Sequence, residues 1–255
     1  MATYTNVFTT GTAGADTYNF NREGITGAVN AGAGSDVAKI AYQKSAFTVT
    51  TTTTGVVSLT SGSGGLLKFT NFEKVVFADG QTIQIGSVAA NTITGTAYAD
   101  EVYGLAGNDI LNGGNGIDKL YGGDGADKLA GGAGNDILTG GTGVDIFLFN
   151  TARNASTNVD TIKDYDVGGA DKIQLDATFF NVGIAGTTAG AALTADKFWV
   201  GTAAHDATDR IIYNKATGAL SYDADGNGAG AAVKFAIVGT TTHATLTAAD
   251  FTIVP

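Results

Sequence analysis

Aspartate returns at every ninth position through the middle of the chain, at Asp100, Asp109, Asp118, Asp127, Asp136 and Asp145. Two positions after each stands an apolar residue: Val102, Leu111, Leu120, Leu129, Leu138 and Phe147. Glycine opens each unit at Gly95, Gly104, Gly113, Gly122, Gly131 and Gly140, and a second glycine follows in the last four, at Gly114, Gly123, Gly132 and Gly141. Another glycine precedes the aspartate by two positions at Gly107, Gly116, Gly125, Gly134 and Gly143. The first unit departs, with Tyr98 in that slot, and the second carries Leu105 for its second glycine. A register this strict is the mark of a repeat architecture. Glycine takes positive φ without a Cβ penalty, so the glycine-rich half of a unit curls tightly and turns its carbonyls toward one spot. The remaining three residues make a minimal strand with the middle side chain facing inward. Two units then complete a coil of 18 residues, and coils stack at about 4.8 Å.

Stacking places Asp100, Asp118 and Asp136 along one edge and Asp109, Asp127 and Asp145 along the other. Bare carboxylates at that spacing repel, and a hard dication between coils reverses the sign. Calcium takes six to eight oxygens, carbonyl and carboxylate alike, whereas magnesium insists on a tighter octahedron with retained water. The pairs Asp100/Asp118, Asp118/Asp136, Asp109/Asp127 and Asp127/Asp145 give about four Ca2+ sites as a first count. Each coil buries only two inward side chains, too little apolar surface to order 18 residues. Calcium binding and folding are therefore expected to be one event.

The nonapeptide is similar to that of the RTX (repeats-in-toxin) calcium-binding secreted proteins, over about Gly95 to Phe149. The resemblance implies a parallel β-roll and a ligand set completed by backbone carbonyls of the turns. Here these would be Gly107, Gly113, Gly114, Asn115 and Gly116, then Gly122, Gly123, Asp124 and Gly125, then Gly131, Gly132, Ala133 and Gly134, and Gly140, Gly141, Thr142 and Gly143. The Asp124 side chain stands outside the aspartate register and reads as solvated. The segment Asp160–Ala177 resembles the one that follows the roll in secreted metalloproteases of this family. That implies a closing role for Asp160, Asp164 and Asp171, against the alternative of surface carboxylates on a strand. The last residues, "LTAADFTIVP", resemble a C-terminal type I secretion signal, and the phrase "NFEKVVFADGQTIQI" resembles segments that accompany these repeats.

Composition excludes several classes. The net charge is −10, which disfavours nucleic acid as a partner and favours cations. Cysteine is absent, so there is neither a disulfide scaffold nor a thiolate metal site. No apolar run is long enough to span a bilayer, and no basic and apolar leader opens the chain, so no cleaved signal peptide is expected. The two histidines, His205 and His243, form no H-E-x-x-H, and no serine has a G-x-S-x-G setting. "DADGNG" (223–228) imitates a helix-loop-helix calcium loop, but Lys234 stands where the closing Glu is required, so a hairpin turn is the better reading.

Residues 1–94 read as a strand-rich flank, with hairpin turns at Gly55, Ser61–Gly65 and Asp79-Gly80. "GTAGADTYNF" and "GAGSDVAKI" carry one Gly-x-Asp signature each, ending at Asp16 and Asp36, which are 20 apart rather than 18. Together they read as one irregular turn, with a calcium between the two acids as one option. Residues 150–255 read as a second strand-rich flank, with a glycine-rich hairpin over Leu220–Val238 and one short helical candidate at Thr194–Phe198. The expected fold is all-β, a parallel β-roll over 95–149 between two β-rich flanks. The expected protein is not an enzyme. It is secreted, extracellular or surface-associated, and assembles with its own copies into a surface layer, matrix or filament. The alternative is a carrier or secretion module, free-standing or the tail of a larger effector, with the type I secretion apparatus as partner in either case.

Overall fold

The structure is a computed structural model that describes residues 4–5, 11–20, 25–62, 64–166, 170–183, 190–239 and 243–255. The chain is all-β, with a parallel β-roll between strand-rich flanks. Helix among the described residues is confined to single 3₁₀ turns at Lys44–Ala46, Ala195–Lys197 and Ala248–Asp250. The second of these falls inside the expected Thr194–Phe198 segment. No helix among the described residues is long and apolar enough to cross a membrane.

One face of the roll stacks Thr82–Ile85, Glu101–Ala106, Lys119–Asp124, Ile137–Thr142, Asp160–Ile162 and Val233–Val238, each parallel to the next. The other stacks Thr92–Thr94, Ile110–Asn115, Lys128–Ala133, Ile146–Phe149, Lys172–Asp176 and Phe251–Val254. The registers Val102↔Leu120, Leu111↔Leu129 and Leu120↔Leu138 fix the coil at two nonapeptides. Val102, Leu111, Leu120, Leu129, Leu138 and Phe147 are all sealed inside. The repeat strands are longer than the three residues expected. Pairing reaches the second glycine of each unit, as in Gly114↔Gly132 and Gly123↔Gly141, because coils of equal length keep their turns in register too.

The apolar interior of the roll is continuous with that of residues 150–255, where Phe180 and Phe235 pack beyond Phe149 at the end of the roll. Insertions lengthen the last coils, so the offset between stacked strands grows from 18 to 24 on one face and 26 on the other. The C-terminal segment Phe251–Val254 is itself a stacked strand, with Phe251 and Ile253 buried. The expected hairpin over Leu220–Val238 is present as Ala219–Tyr222 against Val233–Val238.

The N-terminal region has a separate core. Its hairpins join Phe47–Thr51, Val57–Ser61 and Leu66–Thr70, and a further hairpin at Asp79-Gly80 joins Lys74–Phe77 to Thr82–Ile85. Beside them lies a second, short parallel stack of Thr17–Phe20, Val37–Ile40 and Lys74–Phe77. Edge-to-face contacts of Phe69 with Phe20 (5.3 Å) and Phe72 (5.3 Å) fill the interior.

Thr82–Ile85 belongs to both this region and the roll, and two side-chain features strengthen the joint. Leu105 holds φ +81 in a glycine position and packs against the N-terminal core. Glu101 accepts ion pairs from Lys44 (3.2 Å) on one side and Lys119 (3.0 Å) on the other. Burial alone would raise the Glu101 carboxyl, but the two ammonium groups hold it below its ordinary range.

Candidate metal centre

The aspartates form two hydrogen-bonded ladders. On one edge the amide of Asp100 donates to Oδ1 of Asp118 (2.7 Å), Asp118 to Asp136 (2.8 Å) and Asp136 to Asp160 (3.1 Å). On the other, Asp109 donates to Asp127 (2.7 Å), Asp127 to Asp145 (2.9 Å) and Asp145 to Asp171 (2.9 Å). Each carboxylate thus spends one oxygen holding the coil before it. The second oxygen of Asp109, Asp118, Asp127, Asp136 and Asp145 is buried with no hydrogen-bond partner. An ionised oxygen sealed from water without a partner is costly, and buried charges are normally paired or coordinate a metal.

The turns leave room for such a partner. A Cβ at Gly113 would collide with Oδ2 of Asp118 and the carbonyl of Gly131. The same pair of oxygens converges at Gly104, from Asp109 and Gly122, and at Gly122, from Asp127 and Gly140. Positive φ at Gly114 (+100°) and Gly116 (+129°) makes this curl, and the values recur at Gly123, Gly125, Gly132, Gly134, Gly141 and Gly143. Only residues without a Cβ hold these values cheaply. Carboxylate and carbonyl oxygens around a glycine-lined space are the donor set of a calcium ion. The residues present fit the ion, which would supply the counter-charge that lets facing carboxylates stay ionised.

Electrostatics point the same way. Burial, aided by the carboxylates of Asp136 and Asp100, pushes Asp118 up to about 7. Burial also lifts Asp127 and Asp145 to about 6, with neighbouring aspartates adding to it. Asp160, buried and facing Asp136, goes up to about 8. Asp109, Asp136 and Asp171 move in the same direction, again chiefly through burial. Without a cation these buried carboxyls give up their protons at higher pH than a free aspartate does.

The ends of the ladders differ from the middle. Both oxygens of Asp100 are satisfied: Oδ1 by the amide and hydroxyl of Thr82, and Oδ2 by the amide (2.6 Å) and hydroxyl (2.7 Å) of Thr96. The preceding turn on the other edge is built alike, with Ser87 donating its amide to Oδ1 of Asn91 (2.7 Å). The amide of Asn91 in turn donates to Asp109 (2.6 Å). At the far end Asn158 accepts from the amide of Gly134, and Asp164 accepts from Gly140 and Gly141 (2.9 Å each). Asp164 therefore caps a turn rather than extending a ladder, while Asp160 and Asp171 extend them. Asp124 points outward and accepts from the Thr142 hydroxyl. The carbonyls of Asp124, Ala133 and Thr142 each accept one amide from the preceding coil.

Thr82 and Asn91 lie one coil length before Asp100 and Asp109, so counting back 18 residues would have found them. No spacing signal marks Asp171, because the coil before it is lengthened by insertion.

The sequence between residues 85 and 147 matches the RTX calcium-binding nonapeptide repeat (4 copies), as two overlapping stretches at 85–120 and 112–147. This segment is an RTX repeat array. Around it the likenesses thin out, and no curated protein matches the chain. The AlgE6R3 subunit of the Azotobacter vinelandii mannuronan C5-epimerase is 22% identical, over 65% of this chain and 79% of that one, with a TM-score of 0.31. The extracellular lipase LipA from Serratia marcescens is 12% identical, with a TM-score of 0.22, over 95% of this chain and 37% of that one.

Proposed function

We propose that this is a secreted structural protein whose RTX roll folds when it meets extracellular calcium and which then assembles with its own copies. One observation carries the calcium part: five buried carboxylate oxygens, on Asp109, Asp118, Asp127, Asp136 and Asp145, face glycine-lined turns with no partner. Extracellular modules bind calcium at roughly 10⁻⁴–10⁻³ M, so the roll would stay unfolded inside the cell and fold outside it. An unfolded chain without cysteines is suited to threading a type I secretion channel, with the C-terminal segment as signal.

Self-assembly is supported by the sheet edges. Among the described residues the twelve-stranded sheet ends in Thr17–Phe20 on one side and in Phe198–Val200 on the other. The second edge exposes Trp199 and Val200. Open edges pair with other chains unless blocked.

The test is circular dichroism through a calcium titration with magnesium as control, followed by light scattering with calcium and then chelator. A cooperative gain of β signal with calcium alone, together with growth in particle mass, is the expected result. No response to calcium would overturn the metal reading. Monomers in both conditions would overturn assembly and favour the carrier-module reading.

A further inference from the structure

We infer that the N-terminal region holds a calcium site of its own, at the turn Ala31–Asp36, outside the RTX array. The turn has the backbone of a repeat turn, and its sequence apart from the opening glycine, but it stands alone outside the nine-residue register. Gly32 and Gly34 stand four and two residues before Asp36 with φ of +96° and +130°, against +100° and +129° at Gly114 and Gly116 before Asp118. Asp36 is fully buried, and its Oδ2 has no hydrogen-bond partner, the same condition as the mid-ladder aspartates of the roll.

The ladder is also reproduced. The amide of Asp16 donates to Oδ1 of Asp36 (2.6 Å), and the amide of Asp36 donates to Oε2 of Glu73 (2.5 Å). The turn above, Gly11–Asp16, is closed by a hydroxyl as the first turn of the roll is: Thr12 donates its amide (2.8 Å) and hydroxyl (2.9 Å) to Oδ2 of Asp16. Asp16 thus corresponds to Asp100, and Asp36 to Asp118. Three carboxylates fall in line, and among the described residues no ion pair from Lys, Arg or His reaches any of them. A hard dication is the counter-charge that oxygen ligands of this kind select. One departure sets the rank of the site. Ala31 stands where the repeat turns open with glycine, and its methyl narrows the space, so this site fills after those of the roll.

The test uses the full chain at saturating calcium, with bound metal counted by elemental analysis after gel filtration. Asp36→Asn is expected to lose one equivalent while Asp118→Asn, as control, loses its equivalents from the roll. An unchanged count in a folded Asp36→Asn protein would overturn the site. Should that variant not fold, terbium luminescence decides. Tyr18 lies beside the turn, its hydroxyl and the carbonyl of Ala31 both closing on the space at Gly11. Tyr18→Phe is expected to keep every bound equivalent and to lose the last-filling component of sensitised emission. Emission identical to the parent across the whole titration would overturn the proposal.

Discussion

The N-terminal region and the RTX array both wind parallel strands around aspartate-edged turns, and they close their interiors by opposite means. In the N-terminal region aromatic rings do the filling: Phe20, Phe69, Phe72 and Phe77 pack with Val29, Leu59 and Val75, and antiparallel hairpins seal one side. In the array each half-coil contributes one apolar side chain, and amide-to-carboxylate hydrogen bonds tie each coil to the next. The first region carries a conventional core with one unpartnered carboxylate oxygen. The second carries five such oxygens and a thin core. On the proposed reading, metal dependence would follow from the balance between apolar burial and stranded charge and not from repeat geometry alone.

Chelation gives the largest separation between the two. In hydrogen exchange with excess EGTA, amides of Glu101–Thr142 are expected to lose protection altogether, while those of Val57–Phe77 keep most of theirs. Equal loss in both regions would break the comparison.

Core truncation sharpens it. Leu120→Ala removes a sealed side chain that a rigid coil cannot close over, at a cost of about 2–5 kcal/mol. With folding linked to binding, that cost is expected to appear as a rightward shift of the calcium midpoint of the roll. Phe69→Ala, of similar size at about 3–5 kcal/mol, is expected instead to lower the thermal midpoint of the N-terminal region. Calcium-titrated dichroism and calorimetry read the two.

Acidity separates the metal-free from the metal-bound roll. The ladder carboxyls of the folded chain sit at about 6 to 7 for Asp127, Asp145 and Asp118, above the ordinary aspartate value near 3.9. The folded state therefore holds more protons than the unfolded one between these limits, and stability falls as pH rises through them. Residual β signal in EGTA is expected to be greater at pH 5 than at pH 8. With calcium present the order reverses, because protons compete with the ion for the same oxygens. The same order with and without calcium would remove the carboxylates from the account.

The smallest effect is expected at the joint. Leu105 holds a left-handed backbone that costs a non-glycine residue roughly 1–2 kcal/mol. Its side chain recovers part of the 1.5–3 kcal/mol available to a buried leucine. Leu105→Gly should thus change thermal stability by less than about 1 kcal/mol, while loosening the N-terminal region from the roll in exchange experiments. A loss of several degrees would show that the contact outweighs the strain.

Within the array almost everything was legible in the sequence. Coil length, the two edges, the inward row from Val102 to Phe147 and the acids at the turns all follow from a nine-residue period, because strand stacking copies a local rule from one coil to the next. The tertiary structure decided what lies beyond the period. Thr82 and Thr96 close the first turn, Asn158 and Asp164 cap the last, Asp160 and Asp171 carry the ladders across lengthened coils, and Asp36 takes up the same geometry far from the repeats. A period has no information about its own ends. What satisfies the last amide or carboxylate depends on which distant side chain a loop of irregular length delivers there, and only the folded chain fixes that.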